Sequence, residues 1–375
     1  MSGPHRIILS AGGTGGHLFP AEALAHELGA RGWEVHLATD SRAERFAGKF
    51  PAKEIHQIAS ATIGGRNPIK LAQAGLILWK GFRQSAQLIE KLRPSVVVGF
   101  GGYPTLPPLY AATRRGVRTV VHEQNAVMGR ANKALAPRVT AVAGGFLPEG
   151  GPFAAKIVTT GNPVRPGVLA VADKPFLPPA LDGPINFVIF GGSQGARFFS
   201  DVVPDVLAAL PAELRTRLVV TQQARAEDQE RVTARYAELG VTAEVSPFFN
   251  DLPARVAGAH LVLSRAGAST VLELSVIGRP SILVPLPHAL DDDQGHNAQI
   301  LVDAGGAIMH RQATISAPAL AAEIAALLGD SARLSGMAAG AKTIGRTNAT
   351  RLLADLVEAI AAGTSVDEYK RGRRP

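Results

Sequence analysis

The chain has 375 residues, more than one ordinary core holds, and this length points to two domains. Hydrophobic residues make up 46% and charged residues 19%, a globular composition; the absence of cysteine excludes disulfides, thiolate catalysis, iron–sulfur clusters and Cys-based zinc sites. The net charge of +8 is unevenly placed, with 19 Lys/Arg against 9 Asp/Glu in residues 1–164 and 20 against 22 in the rest. A basic first half implies an acidic membrane or a phosphorylated substrate as partner. With aromatics at 5% and no basic helix of nucleic-acid type, nucleic acid is not expected.

From the N-terminus, the apolar run Ile7–Ala11 is too short for a signal peptide. The longest uncharged stretch, Ser95–Thr113, is broken by glycines and prolines, so neither it nor any other segment reads as a transmembrane helix. A cytoplasmic location follows as the expectation. Buried strands are predicted at 7–10, 34–39, 95–99, 119–122, 140–143, 186–190, 217–221, 243–247, 261–264 and 281–284, with amphipathic helical stretches between them. Strands alternating with helices predict an α/β fold with parallel sheets covered on both faces.

The two halves begin alike: Arg6–Leu28 and Asn186–Leu210 each read strand, Gly-rich loop, helix. This predicts two doubly wound, Rossmann-like domains, residues 1–164 and 165–344, joined at a hinge over Gly161–Arg165. A last helix at about 345–362 is expected to cross back to the first domain, and residues 363–375 to form a disordered tail.

The first loop, Gly12-Gly13-Thr14-Gly15-Gly16-His17, ends a strand and opens a helix, where bare N–H groups favour an anion. Leu18 stands where a dinucleotide fingerprint needs its third glycine, and the Lys-Ser/Thr pair of a P-loop is missing. His17, in the space those glycines clear, is the candidate general base for a hydroxyl. A second Gly loop, Phe100-Gly101-Gly102-Tyr103-Pro104, and the segment His122-Glu123-Gln124-Asn125 also follow strands. In a parallel sheet all three meet at one edge. In the second half, Gly191-Gly192-Ser193-Gln194-Gly195-Ala196 suits a diphosphate, and Ser264–Thr270 leads into a helix whose Glu273 suits ribose hydroxyls. The run Asp291-Asp292-Asp293 reads as a solvated acidic loop rather than a metal site, so no metal is expected.

Asn67 is a candidate N-cap and Pro68 a first helical residue. Leu71, Leu78, Phe82 and Ile89 form the stripe expected to face the core. Ile69, Leu76 and Trp79 lie off it, among Lys70, Lys80 and Arg83, a pattern suited to an anionic membrane surface. Each inserted large apolar side chain adds ~1.5–3 kcal/mol and each cation near anionic lipid ~1 kcal/mol.

Gly12–His17, Gly99–Pro104, His122–Asn125, Gly161–Arg165, Gly191–Arg197, Ser264–Glu273 and Gln294–Ala298, in this order, make the chain similar to the MurG family, within glycosyltransferase family 28. The resemblance runs from about residue 5 to 360. It implies a GT-B fold, with the two domains facing each other across a cleft, and inverting, metal- and cofactor-free transfer of GlcNAc. The donor is UDP-GlcNAc and the acceptor the MurNAc C4 hydroxyl of undecaprenyl-pyrophosphoryl-MurNAc-pentapeptide, on the cytoplasmic face of the plasma membrane, with other cell-wall enzymes as further partners. By the same resemblance Thr14, Gly15 and Gly16 contact donor sugar and diphosphate, and His17 is catalytic or in the acceptor site. Tyr103, Glu123 and Asn125 serve the acceptor side; Arg165 and Ser193 approach the diphosphate. The Phe249 backbone pairs with uracil. Ala268, Ser269, Thr270, Val271, Leu272 and Glu273 hold phosphate and ribose, and Gln294 the GlcNAc hydroxyls. The acidic Asp291–Asp293 run departs from the family pattern. A UDP-GlcNAc 2-epimerase, which shares the fold, and a non-enzymatic sugar-nucleotide sensor are the rival readings.

Overall fold

The computed structural model describes residues 5–12, 15–41, 50–62, 67–287 and 290–372, and for 193–196 and 290 the backbone alone. The chain divides into two compact units, residues 1–165 with 348–375, and residues 166–347.

The first unit holds strands β1 (Arg6–Ser10), β2 (Glu34–Thr39), β3 (Glu54–Gln57), β4 (Val96–Gly99), β5 (Arg118–Glu123), β6 (Ala141–Gly144) and β7 (Ile157–Thr159). They form a parallel sheet in the order β3-β2-β1-β4-β5-β6-β7. Its strands are apolar toward both faces because both are covered. On one face Leu9, Val98 and Val120 pack with Leu24 and Leu28 of the helix Gly15–Ala30 and Leu353, Leu356 and Ile360 of the helix Ala349–Ala362. On the other, Ile8, Val97 and Val121 pack with Leu88, Ile89 and Leu92 of the helix Pro68–Leu92 and Leu109 of the helix Leu106–Arg114. Arg31 fastens the Ala349–Ala362 helix, donating to Asp355 at 2.8 Å and Glu358 at 2.7 Å, while the Trp33 Nε1–H donates to Glu358 at 2.9 Å.

The second unit repeats the plan with β8 (Ile185–Phe190), β9 (Leu218–Gln223), β10 (Thr242–Ser246), β11 (Leu261–Ser264), β12 (Ser281–Leu283) and β13 (Ala307–Met309). The order is β10-β9-β8-β11-β12-β13, again parallel. In each sheet the order reverses at one place, between β1 and β4 and between β8 and β11. Parallel α/β sheets take ligands at such a reversal, beyond the strand C-termini.

Three strands escape the sequence reading: β3, β7 and β13. Each is short and ends a sheet, so at least one side of it needs no apolar pattern.

The helix Pro68–Leu92 differs from expectation in its stripe. Asn67 caps it as expected, accepting from the Ile69 N–H at 2.9 Å and the Lys70 N–H at 3.3 Å. Leu71, expected in the core, is 40% exposed, and Leu78 and Phe82 are only half-buried. Of that stripe Ile89 is buried as expected, and the rest of the contact face is Ala74, Gly81, Ser85, Ala86, Leu88 and Leu92. Gly81 sets it: a side chain there would collide with the Ala59 carbonyl, so the helix approaches closely at this point and its first turns stand clear of the core.

The tail also differs. Residues 366–372, expected to be disordered, form a helix because Val366 is buried against the first unit's core, Tyr369 packs there too, and the Lys370 ammonium donates to the Ala154 carbonyl at 3.2 Å. Among the described residues no helix is long and apolar enough to cross a membrane.

Two stability effects are expected. Leu356 is fully buried, so Leu356→Ala costs about 2–5 kcal/mol, whereas Leu76→Ala, at a side chain 68% exposed, changes stability by about 0.5 kcal/mol or less. Urea unfolding of the two variants measures the contrast. At the end of β5, His122 donates from Nε2 to the Gly161 carbonyl at 3.1 Å and accepts at Nδ1 from the Gln124 amide at 3.0 Å. Burial pushes its pKa down to about 4 from 6.5, against a smaller upward pull from the Gly161 carbonyl. Between these values the unfolded chain binds a proton that the folded chain does not. His122 therefore makes stability fall by about 1.4 kcal/mol per unit as pH drops from 6.5 toward 4. Denaturant titrations across this range should show a shallower slope in His122→Gln.

Candidate functional site

In the first unit the loops after β1 and β4 meet through their backbones, and the loop after β5 joins them through the Gln124 side chain. The Phe100 N–H donates to the Ser10 carbonyl at 2.8 Å, and the Gly12 N–H to the Gly101 carbonyl at 3.2 Å. Gly101 and Gly102 have φ of 94° and 77°, and a Cβ on either would come within 3.2–3.3 Å of the His17 ring. These glycines make the seat for that imidazole.

The seat also fixes the tautomer. Gln124 turns its amide nitrogen toward the Phe100 carbonyl at 3.0 Å and His122 Nδ1 at 3.0 Å. Its Oε1 therefore accepts, and His17 donates from Nδ1 at 3.3 Å. That leaves Nε2 as the nitrogen with a lone pair. Burial lowers the His17 pKa below 6.5, opposed by the Glu123 charge and by hydrogen bonds to Gln124 and the Phe100 carbonyl. A neutral imidazole held in one tautomer is equipped to take a proton.

Glu123 is 2% exposed and saturated with donors: the N–H and side-chain amide of Asn125, both at 3.1 Å, the Gly129 N–H at 2.9 Å and the Asn132 amide at 2.9 Å. It organises the loop that presents Asn125. Tyr103 opens the short 3-10 turn Tyr103–Thr105 after the second Gly loop. The Arg165 guanidinium lies 4.8 Å from the ring centroid of Phe19, in the first helix. Gly15 and Gly16 begin that helix; Thr14 lies outside the described residues.

In the second unit the helices Gly192–Ala208 and Ala268–Ile277 start directly after β8 and β11, which are neighbours in the sheet. Gly267 precedes the latter helix and supplies no side-chain cap, so its first N–H groups face outward with the positive end of the helix dipole. Ala268, Ser269 and Thr270 form this turn. Val271 and Leu272, included with them from sequence, are 0% and 6% exposed, and the Val271 N–H closes the first helical turn on the Gly267 carbonyl at 3.0 Å. Their side chains belong to the core because a helix lying on a sheet must bury that face. Glu273 is also largely buried. The Ser193 side chain lies outside the description.

The turn before this helix is clamped by the helix Asp293–Asp303. Gln294 Oε1 accepts from the Ala266 N–H at 3.2 Å and the Leu286 N–H at 3.0 Å, and the Asn297 amide donates to the Ala266 carbonyl at 3.3 Å. Gln294 thus retains only its Nε2 amide as a donor toward a ligand. Phe249 is buried under the Arg255 guanidinium, 4.5 Å from the ring centroid. In the acidic run, Asp292 accepts two hydrogen bonds from Arg311 at 2.6 and 2.7 Å.

Sequence reasoning passed over two organising residues, Gln124 and Arg265. Arg265 is 5% exposed, donates to the Val284 and Pro285 carbonyls at 3.1 and 3.2 Å and to Gln312 at 2.7 Å, and lies over Phe198 and Phe199. Burial lowers its pKa to about 10, so it stays charged at neutral pH. The available signal was an arginine placed directly after the apolar strand Leu261–Ser264, where a charge must find carbonyl partners to be buried.

The model of the glycosyltransferase family 28 N-terminal domain matches residues 7–144, and that of the C-terminal domain residues 186–355. A relative from Chelativorans sp. (strain BNC1) is 64% identical, and one from Mesorhizobium japonicum 60%, each over 98% of both chains. Both are named UDP-N-acetylglucosamine–N-acetylmuramyl-(pentapeptide) pyrophosphoryl-undecaprenol N-acetylglucosamine transferase. The crystal structure of Acinetobacter baumannii MurG is similar with a TM-score of 0.78 at 30% identity, covering 95% of this chain and 99% of that one. A putative UDP-N-acetylglucosamine 2-epimerase from Listeria monocytogenes is similar at a TM-score of 0.67 but 14% identity, covering 97% and 99%, which is a likeness of fold alone. With both domain models matched in order and such identities over nearly its whole length, the chain belongs to glycosyltransferase family 28, the enzymes whose two doubly wound domains are of the GT-B type.

Proposed function

We propose that the chain transfers GlcNAc from UDP-GlcNAc to the C4 hydroxyl of MurNAc in undecaprenyl-pyrophosphoryl-MurNAc-pentapeptide, forming a β-1,4 link and UDP. The observation that carries this reading is the 64% identity, over 98% of both chains, to a relative named for that transfer. The epimerase reading rests on likeness of fold and is not favoured.

In the reaction the acceptor oxygen forms a bond to C1 of GlcNAc while the bond from C1 to the diphosphate oxygen breaks, with inversion. His17 Nε2 takes the hydroxyl proton; Gln124 holds the tautomer, and the Glu123 charge stabilises the imidazolium as it forms. Negative charge accumulates on the departing UDP. The uncapped N–H groups at Ala268–Thr270, with Ser193 and Arg165, are assigned to the diphosphate, an electrostatic role that asks for no cation. Glu273 is assigned to ribose, the Phe249 backbone to uracil, the Gln294 Nε2 amide to GlcNAc hydroxyls, and Tyr103 and Asn125 to the acceptor. Thr14, Gly15 and Gly16 complete the sugar side.

The lipid acceptor requires access to a membrane surface. Ile69, Leu76 and Trp79 are 68%, 68% and 58% exposed on the outer face of the Pro68–Leu92 helix, beside exposed Lys70, Lys80 and Arg83. Such an amphipathic face suits an anionic bilayer, at the cytoplasmic side of the plasma membrane where the nucleotide donor is found.

Labelled GlcNAc should pass from UDP-GlcNAc to a short-chain acceptor analogue in the presence of EDTA; a donor that binds yet gives no transfer, with or without Mg²⁺, would overturn the reading. His17→Gln should lower turnover about 10²–10⁴-fold with little change in donor binding. In the parent enzyme the acid limb of kcat/KM should lie below pH 6.5, since the imidazole resists protonation until then. For the membrane face, a variant with Ile69, Leu76 and Trp79 all changed to Ser should lose sedimentation with anionic vesicles while keeping activity on a water-soluble acceptor. Unchanged sedimentation would reject that face.

A further inference from the structure

At the lateral edge of the first sheet, β2 and the end strand β3 bring together two histidines and a glutamate. His36 and Glu54 are direct partners across the parallel pair, and His56 follows two residues along β3, so all three project from the same face. His36 Nδ1 lies 3.1 Å from His56 Nε2, and one ligating atom from each of His36, Glu54 and His56 falls within 4.8 Å of the others. Two ligands bound at 2.0–2.1 Å in a tetrahedron stand about 3.3 Å apart, close to the spacing of the two imidazole nitrogens.

The orientation of His36 adds a second argument. Its other nitrogen, Nε2, lies 3.1 Å from Glu34 Oε1. Glu34 is itself paired with Arg6 at 2.9 Å and Lys53 at 2.6 Å, so it is an ionised acceptor. Nε2 must therefore carry the hydrogen, and the Nδ1 lone pair points toward His56. A carboxylate that fixes a histidine tautomer in this way is the usual outer partner of a metal-bound imidazole. His36 is almost fully buried, with a side-chain exposure of 2%, whereas His56 at 12% and Glu54 at 52% leave the third and fourth positions open to an arriving ion.

We propose that His36 Nδ1, His56 Nε2 and the Glu54 carboxylate form a site for one divalent transition-metal ion of the zinc type, with Glu34 orienting His36. Nitrogen-rich coordination favours Zn²⁺, Co²⁺ or Ni²⁺ over Mg²⁺ or Ca²⁺. The ion joins the edge strand β3 to β2 by a bond stronger than a strand pair only four residues long provides. It takes no part in sugar transfer, and none of its residues is assigned to that reaction.

The test uses the full chain without a polyhistidine tag, stripped with EDTA. Calorimetric titration with Zn²⁺ should give one saturable ion per chain, and Co²⁺ should give the visible absorption of a four-coordinate N/O complex. Saturating Zn²⁺ should raise Tm by several degrees. His56→Gln should abolish the stoichiometric binding and the Tm rise, and Glu34→Gln should weaken Zn²⁺ about 10–100-fold. GlcNAc transfer at low temperature should be unchanged in both variants, which shows that they fold. Absence of saturable binding, or binding that persists undiminished in His56→Gln, would overturn the proposal and leave a hydrogen-bonded pair of histidines.

Discussion

At the edge of the first sheet, backbone meets backbone. The Gly12 N–H reaches the Gly101 carbonyl only because neither loop carries side chains at the contact. That approach seats the His17 ring on Gly101 and Gly102 and brings Gln124 within reach of Nδ1. The chemistry assigned to the first unit depends on it: a bulkier residue at either glycine would displace the imidazole, and with it the tautomer and the direction of the lone pair. The parallel sheet supplies the framework, since only parallel neighbours end their strands on the same side.

The second unit meets the same topological constraint with different chemistry. Its sheet also reverses order beside the first strand, but the residues around the reversal are donors and clamps rather than bases. Arg265 and Gln294 tie the 264–267 turn to the loop after β12, through carbonyls on one side and N–H groups on the other. The helix N-terminus at Ala268 is thereby held in place. Preorganised dipoles of this kind stabilise a leaving diphosphate with little rearrangement. Buried arginine is an expensive means to that end, and it is tolerated because three acceptors and two aromatic rings surround it.

The first unit has further features beyond the edge where its Gly loops meet. Its longest helix, Pro68–Leu92, is anchored at one end by Gly81, Leu88, Ile89 and Leu92 and leaves the other end projecting. The C-terminal chain returns to the opposite face, where Arg31 and Trp33 hold the helix Ala349–Ala362 and the last residues continue as a helix. The first sheet is therefore covered by segments from both ends of the sequence.

The sequence by itself determined the central strands, the two Gly-loop starts, the capping of the Pro68–Leu92 helix and the histidine at the first loop. Each rests on short-range rules: apolar runs for strands buried on both faces, glycine where backbone must turn, and asparagine before proline at a helix start. Tertiary structure alone decided the rest. Edge strands β3, β7 and β13 form because a neighbouring strand offers hydrogen bonds, whatever their own pattern. Leu71 is exposed and the tail from Val366 is helical because of what each segment meets, or fails to meet, across the fold. Gln124 became the partner of His17, and Val271 and Leu272 core residues, for the same reason. The His36–Glu54–His56 group draws its members from two strands, with His36 eighteen residues before Glu54 in sequence. Only the register of β2 against β3 puts them on one face, and register is a property of the pair.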